Sequence, residues 1–188
     1  IFKFAEMTAR GGPLHKHKIA ATLRQLRDLK LTIPCLDTSV DLSLEKDAVR
    51  TLTGMLELAR DLQVPYVVAW ASTGAEDTIR AALELLLPKA EELEVCLLLK
   101  TSGIYADTSR LRALLESYAS DYTGALWDMH HPYRDFGESA DTTIKNLGTY
   151  VRHVHLRDSN DQGAYELIGE GTLPVADMIR ALGSINYD

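Results

Sequence analysis

Short apolar runs alternate along this chain with longer stretches in which apolar residues recur at every third or fourth position. A short apolar run bounded by polar residues is typical of a buried β-strand. We predict strands at six of these runs: Phe2–Glu6, Thr32–Leu36, Tyr66–Trp70, Val95–Leu99, Ala125–Met129 and His153–Leu156. The stretches between them carry a helical repeat, so the pattern predicts strands and helices in regular alternation.

Apolar stripes at helical spacing predict the helices themselves. One stripe consists of Val49, Leu52, Leu56 and Ala59, and others extend from Ile79 to Leu93 and from Leu111 to Tyr118. Asp107 and Thr108 precede the last of these stripes, and side chains of this kind cap helix starts. A final helix is expected from about Pro174 to about Leu182, because proline suits the first turn.

This alternation predicts an α/β fold with a parallel sheet. The run VCLLL at Val95–Leu99 is apolar at every position, as in a strand buried on both faces. About six strand–helix units over residues 1–188, without a linker or a break in composition, predict a single domain. Such units fit either an open doubly wound sheet or an incomplete eight-stranded barrel. The first strand is not followed by a glycine-rich phosphate loop, which argues against a dinucleotide-binding sheet.

Composition narrows the classes of function. The formal net charge of −7 argues against a duplex-DNA partner, because neutralising phosphates requires a surplus of Lys and Arg. No apolar run reaches the roughly 18 residues of a membrane helix. Cys35 and Cys96 each lie in an apolar run, which favours buried free thiols over a disulfide and hence a cytoplasmic location. A small-molecule ligand is therefore the expected partner.

Polar side chains gather at the ends of the last two predicted strands. Asp128, His130 and His131 cluster at the end of the fifth strand, and His153 and His155 project from one face of the sixth. In parallel α/β folds the reactive groups collect at the carboxyl ends of strands. A carboxylate and an imidazole on neighbouring strand ends could bind one divalent cation. The alternative is structural: a strand-end Asp often caps a helix, and a strand His is often a hydrogen-bonded core residue.

Five segments, in this order, resemble those of the xylose isomerase-like barrel proteins. They are LLLKTSGIYADTSRLRALL (Leu97–Leu115), LWDMHHPYR (Leu126–Arg134), GES (Gly137–Ser139), HVHLRDS (His153–Ser159) and IGEGTLPVADMIRALGSINYD (Ile168–Asp188). That superfamily includes sugar and sugar-phosphate isomerases and epimerases, inosose dehydratases and apurinic endonucleases. The resemblance implies a (βα)8 TIM barrel, present here in incomplete form without the first and last strands.

The resemblance also implies a site that binds a divalent metal such as Mn, Mg, Co or Zn. Two of the four usual ligands match Asp128 and His155. His131 matches a histidine that contacts substrate or a second metal in relatives, and Arg157 and Asp158 match residues that shape the substrate end. Trp70, at the end of the third predicted strand, could stack on a sugar ring or fill the core.

One residue departs from the family pattern. Where relatives carry the first ligand Glu, this chain has Lys100. An ammonium there repels a metal ion, so the site could be lost. Lys100 could also replace the metal as the positive group that stabilises an enediolate, act as a base, or extend to the rim without a role.

These residues support competing functions. The first is a metal-dependent isomerase or epimerase of a small sugar or sugar phosphate, acting by proton transfer. The second is a catalytically degenerate barrel that binds a sugar-like ligand without turnover. An apurinic endonuclease would need a three-metal cluster and a basic cleft, which this acidic chain does not offer. Possible substitutes for the missing Glu bases are Glu6, Glu138 and Glu170, and the unpaired edges of an open barrel favour a homo-oligomer.

Overall fold

The computed structural model describes residue 12 and residues 14–187. The predicted strand Phe2–Glu6 and the candidate base Glu6 therefore lie outside the described residues. The described chain alternates helices and strands in the following order: α1 Ile19–Asp28, β1 Leu36–Asp41, α2 Ala48–Leu62, β2 Tyr66–Trp70, α3 Glu76–Leu93, β3 Cys96–Lys100, a 3-10 turn Gly103–Ala106, α4 Thr108–Leu115, β4 Thr123–Asp128, α5 His130–Phe136, α6 Ala140–Leu147, β5 Val151–His155, β6 Asp158–Ser159, β7 Tyr165–Glu166 and α7 Val175–Ser184.

The main sheet contains β1 to β5, all parallel, and each strand pairs with the next strand in the chain. A doubly wound sheet reverses its strand order at a switch point, whereas a barrel keeps the order of the chain. The sheet also curls. β1 and β5 lie at opposite ends of it, yet Asp37 Oδ2 of β1 is 3.8 Å from His155 Nδ1 of β5. Both observations support a TIM-barrel fold, of which the described residues form an incomplete barrel.

Most predicted elements are confirmed, with strand ends within two residues of the predicted ones for β2 to β5. The exception is the predicted strand Thr32–Leu36, because the observed β1 covers Leu36–Asp41. Pro34 lacks a backbone N–H and cannot donate to a ladder, so the apolar run that contains it stays outside the sheet. Pairing with β2 begins only at Leu36, which is in register with Val67.

Two apolar layers hold the sheet. The outer layer packs the helices against the sheet, and Leu52, Leu56 and Ala59 of α2 are fully buried in it, as the predicted stripe requires. Each buried Leu stabilises the fold by about 1.5–3 kcal/mol. The inner layer is small and consists of Val68, Cys96, Leu98 and Leu126. Above this inner layer, at the carboxyl ends of the strands, the inward-facing side chains become polar.

Two further predictions concern the chain as a whole. Among the helices of the described part, none has the length and hydropathy needed to cross a bilayer. Cys35 and Cys96 carry free thiols, with Cys96 buried and Cys35 half-buried. Burial raises the pKa of both thiols to about 11, and at Cys35 the neighbouring Asp37 adds to this effect.

Candidate functional site

Three of the predicted site residues meet on the inner face at one rim of the barrel. Lys100 ends β3, Asp128 ends β4 and His155 ends β5, with Asp128 and His155 in register as direct neighbours. Lys100 Nζ lies between two carboxylates, 3.4 Å from Asp128 Oδ2 and 3.5 Å from Asp37 Oδ2. The structure therefore brings these residues together as a cluster of alternating charge, which we call the rim cluster: Asp37, Lys100, Asp128, His155 and Arg157.

Asp128 is the buried centre of this cluster, with no exposed surface. Its backbone is fixed by Thr101, because the Asp128 N–H donates to Thr101 Oγ1 at 2.9 Å and the same hydroxyl donates to the Asp128 carbonyl. Oδ1 accepts from the His130 N–H at 3.3 Å. Oδ2 forms ion pairs with Arg157 at 3.0 Å and Lys100 at 3.4 Å, but within the described residues it has no hydrogen bond of regular geometry.

His131 forms a dyad with Asp135 beside the rim cluster. Both residues lie on α5, which begins directly after β4, and the i,i+4 spacing places them on one face of the helix. The Nδ1 atom of His131 is 2.7 Å from Asp135 Oδ2, and Nε2 is 3.9 Å from Asp128 Oδ2. A carboxylate on Nδ1 orients the imidazole, so the other nitrogen is presented to the site.

His155 ends β5, the strand that pairs with β4, and is in register with Asp128. Burial lowers the pKa of His155, and the charge of Lys100 lowers it further. Its neutral ring therefore offers lone-pair nitrogen rather than positive charge. His153 projects from the same face of β5, and burial lowers its pKa too. Together with Cys35, these two histidines place three possible ligand atoms within 4.8 Å of one another.

The described residues contain two groups that could hold a metal ion. One is Cys35, His153 and His155, and the other is His130, His131 and Asp135. The predicted pair Asp128 and His155 has suitable donor types, but its electrostatics do not fit a divalent ion. A dication about 4 Å from either Lys100 or Arg157 would be repelled by about 8 kcal/mol at an effective dielectric of about 20. Arg157 at 3.0 Å and Lys100 at 3.4 Å from Asp128 Oδ2 therefore oppose the attraction that the Asp128 carboxylate would exert on such an ion.

Arg157 and Trp70 keep the positions that the sequence predicts. Arg157 follows β5, donates to the Tyr165 hydroxyl at 3.0 Å and places its guanidinium carbon 5.6 Å from the centre of that ring. Trp70 ends β2 half-buried, and its indole N–H donates to the Ser39 carbonyl at 3.3 Å. Substrate contact by either residue stays a prediction.

Asp158 organises the loop that follows β5. Its carboxylate accepts four backbone N–H groups, from Ser159, Gly169, Gly171 and Leu173, at 2.8 to 3.2 Å. Burial alone would raise the pKa of Asp158, but these hydrogen bonds outweigh it and the pKa is lowered. Both oxygens are thus committed to loop structure. The prediction that Asp158 contacts substrate stays a prediction.

The other candidate bases lie elsewhere. Glu138 is buried between helices, where it accepts from the hydroxyls of Thr108 at 2.6 Å and Thr143 at 2.5 Å. It therefore joins α4 to α6. Glu170 is exposed on the loop ordered by Asp158. Neither Glu138 nor Glu170 therefore places its carboxylate in the rim cluster.

Sequence reasoning missed Asp37 and Cys35. The predicted strand ended at Leu36, so Asp37 was not recognised as an inward-facing strand residue. The signal was present, because LDTSVD alternates buried and exposed positions and Cys35 and Asp37 are two residues apart. Correct placement of β1 would have put both on the inner face.

The comparisons with known proteins agree with this geometry. The family model described as the xylose isomerase-like TIM barrel matches residues 2–188. The chain therefore belongs to the xylose isomerase-like TIM-barrel family. No curated protein matched the chain in sequence.

Solved structures share the fold at low sequence identity. A D-tagatose 3-epimerase-like protein matches with a TM-score of 0.76 and 19% identity, covering 93% of this chain and 74% of its own. The 3-keto-D-glucoside 4-epimerase YcjR of E. coli matches with a TM-score of 0.74 and 14% identity, covering 92% and 74%. The IolI protein with a bound zinc atom matches with a TM-score of 0.75 and 17% identity, covering 93% and 71%. At these identities the likeness establishes the fold alone.

Proposed function

We propose that this chain is an isomerase or epimerase of a small sugar, sugar phosphate or related hydroxy-keto compound. The observation that carries the proposal is the convergence of Lys100 and Arg157 on the buried Asp128, with His131 beside them, at the carboxyl rim of the barrel. Family membership and the sugar epimerases among the structural neighbours support the substrate class. Proton transfer next to a carbonyl is the reaction that this arrangement suits.

Lys100 supplies the positive charge for this reaction. Removing a proton next to a carbonyl places negative charge on the carbonyl oxygen, and a fixed cation in a water-poor site stabilises that charge. Lys100 is largely buried and is held by two carboxylates, so it is oriented before substrate arrives. Arg157 fixes the other side of Asp128 and binds the substrate end. A divalent metal on Asp128 and His155 conflicts with these two cations, so we assign the electrostatic role to Lys100.

His131 moves the proton. A general base must reach the substrate through one free nitrogen, while its other nitrogen is held in a fixed orientation. Asp135 holds Nδ1 and leaves Nε2 facing the rim cluster. The same imidazole can return the proton to the neighbouring carbon on the same face, which is the isomerase outcome. The epimerase outcome requires a second proton donor on the opposite face of the substrate, such as a bound water.

Solvent exchange at carbon tests this function. The chain is treated with chelator and incubated in D2O with a panel of ketoses, aldoses and their phosphates, and deuterium incorporation is measured by NMR. Lys100→Met and His131→Gln should each lower the exchange rate by at least about 100-fold, the range of a general acid–base or electrostatic contribution. Lys89→Met, which removes a partly exposed ammonium on α3 outside the rim cluster, serves as the matched control. Unchanged exchange in Lys100→Met, or exchange abolished by chelator in the original chain, would contradict the proposal.

A second candidate is a barrel that binds such a sugar without turnover. It is favoured by the absence of any glutamate from the rim cluster in the described part of the chain and by the neutralised Asp128. Calorimetry separates the two: sugar binding without deuterium incorporation indicates a binder. Lys100→Glu then tests the origin of that site, because a gain of divalent-metal binding indicates a degenerate metal centre.

The remaining expectations concern partners and location. The outer edges of β1 and β5 are unpaired within the described residues, which keeps a homo-oligomer as a prediction. A cytoplasmic location and the absence of a nucleic-acid partner also stay predictions from the thiols and the negative charge.

A further inference from the structure

Cys35, His153 and His155 form a polar group that shares His155 with the rim cluster, and the proposed reaction does not use Cys35 or His153. Cys35 directly precedes β1, and the two histidines lie on β5, so residues more than one hundred positions apart meet across the curled sheet. The thiol sulfur and one nitrogen from each ring all lie within 4.8 Å of one another. We propose that this group is a zinc site.

The donor chemistry selects the ion. One thiolate and two imidazoles are the ligand types that Zn²⁺ prefers, whereas Mg²⁺ and Ca²⁺ require oxygen ligands. Zn–S bonds of about 2.3 Å and Zn–N bonds of about 2.0 Å place the ligand atoms roughly 3.5 Å apart around a tetrahedral ion. Side-chain rotations that move the donors by about 1 Å therefore close the site. Three protein ligands leave a fourth position for water or for a substrate oxygen.

The three donors are available for this role. Within the described residues, none of the three side chains donates or accepts a hydrogen bond, and the nearest carboxylate to His155 Nδ1 is Asp37 Oδ2 at 3.8 Å. All three residues are half-buried rather than fully enclosed by the described part of the chain. By contrast, His131 of the other possible metal group is already bonded to Asp135 at 2.7 Å.

The local charge differs from that at Asp128. Lys100 is the cation next to Cys35 and His155, but Asp37 pairs with it at 3.5 Å. When the ion binds, the Cys35 thiol loses its proton, and the resulting thiolate and the Asp37 carboxylate then face the Lys100 ammonium. At Asp128, Arg157 at 3.0 Å adds a second cation. A dication therefore meets less repulsion at the first place, where a thiolate and two neutral imidazoles supply the donors that zinc prefers.

Binding of cobalt, a spectroscopic substitute for zinc, tests the site directly. The chelator-treated full chain is titrated with Co²⁺ alone, and thiolate-to-cobalt charge transfer is followed in the near ultraviolet, with Zn²⁺ as competitor. One equivalent should bind and produce the thiolate band. Cys35→Ser should abolish the band, and His153→Gln should weaken binding at least about tenfold, the loss expected on removing one ligand. Cys96→Ala, which removes the other thiol, should bind as the original chain does.

A second measurement applies to the unsubstituted protein and does not depend on the variants folding. Zn²⁺ should protect Cys35 from alkylation by iodoacetamide, as read by mass spectrometry. At a hundredfold excess over Kd, zinc should raise Tm by about 5 °C or more, because the ion joins β1 to β5. No binding, a thiolate band that persists in Cys35→Ser or disappears in Cys96→Ala, or alkylation of Cys35 that zinc leaves unchanged would overturn the proposal. His131→Gln, which should abolish the proposed isomerase reaction, should still bind zinc normally. The zinc site can therefore be tested even if the proposed reaction proves wrong.

Discussion

Replacement of Lys100 by Met tests whether burial, rather than distance, decides the strength of the ion pairs in the rim cluster. Lys100 Nζ is 3.4 Å from Asp128 Oδ2 and 3.5 Å from Asp37 Oδ2, and its side chain is 13% exposed while that of Asp128 is 0% exposed. At an effective dielectric of about 20, each contact corresponds to about 5 kcal/mol of Coulomb attraction. Much of this is offset by the cost of removing the charges from water.

The net effect is set by what remains after the substitution. Met keeps the aliphatic stem but removes one of the two Lys or Arg cations that face the buried Asp128, which leaves Arg157 at 3.0 Å. Removal of one partner from a buried pair costs about 3–5 kcal/mol, and because Arg157 still compensates part of the charge we expect the lower limit, about 3 kcal/mol. The free energy of unfolding is measured by urea denaturation at constant pH, and the slope is checked against that of the original chain.

Lys89 provides the matched control. Its Nζ is closer to a carboxylate, 3.1 Å from Glu92 Oε2, but that pair is more exposed than the Lys100–Asp128 pair, with Lys89 28% and Glu92 66% exposed. Lys89→Met should therefore lower the free energy of unfolding by less than about 1 kcal/mol. If Lys89→Met costs as much as Lys100→Met, or if Lys100→Met costs less than 1 kcal/mol, the assignment of a buried charge network is wrong. A double-mutant cycle with Asp37→Asn then divides the effect between the two carboxylates.

Three further predictions follow from local geometry. Gly103→Ala should prevent stable folding or lower Tm by more than 10 °C, which corresponds to roughly 3 kcal/mol or more. The reason is that the new Cβ would lie 2.1 Å from a backbone oxygen, at a φ of +60°. Gly163→Ala is the control: Gly163 has a φ of +82° but lies in open space, so thermal unfolding should show a loss of only about 1 kcal/mol. Asp158→Asn should destabilise the chain most at neutral pH. The pKa of Asp158 is lowered in the folded chain, so the stability that its carboxylate contributes is complete above the unfolded pKa near 4 and is lost as pH falls through the folded pKa. Urea titrations at several pH values should show that the difference in unfolding free energy between Asp158→Asn and the original chain becomes smaller in acid. Glu138→Ala leaves the buried hydroxyls of two threonines without their acceptor, so it should lower the free energy of unfolding by about 2–4 kcal/mol. If the variant is as stable as the original chain, Glu138 does not link the two helices.

The sequence determined the local structure and four of the five residues of the rim cluster. Buried stripes and apolar runs are set by neighbours along the chain, so they predict α2, α3 and β2 to β5 from periodicity alone. The alternation of side chains in a strand likewise places Asp128 and His155 at the same rim, because each residue's face follows from its position in its own strand. The resemblance to xylose isomerase-like barrels also followed from motifs that are local in the chain.

Only the tertiary structure decided which side chains meet across the barrel. The start of β1 is fixed by its register with β2, and this register placed Asp37 and Cys35 on the inner face. The curl of the sheet then brought them to His153 and His155, and the same packing put two cations on Asp128. These contacts join residues far apart in the chain. Their energies depend on burial and on the geometry of the curled sheet, which are properties of the folded barrel and not of any segment.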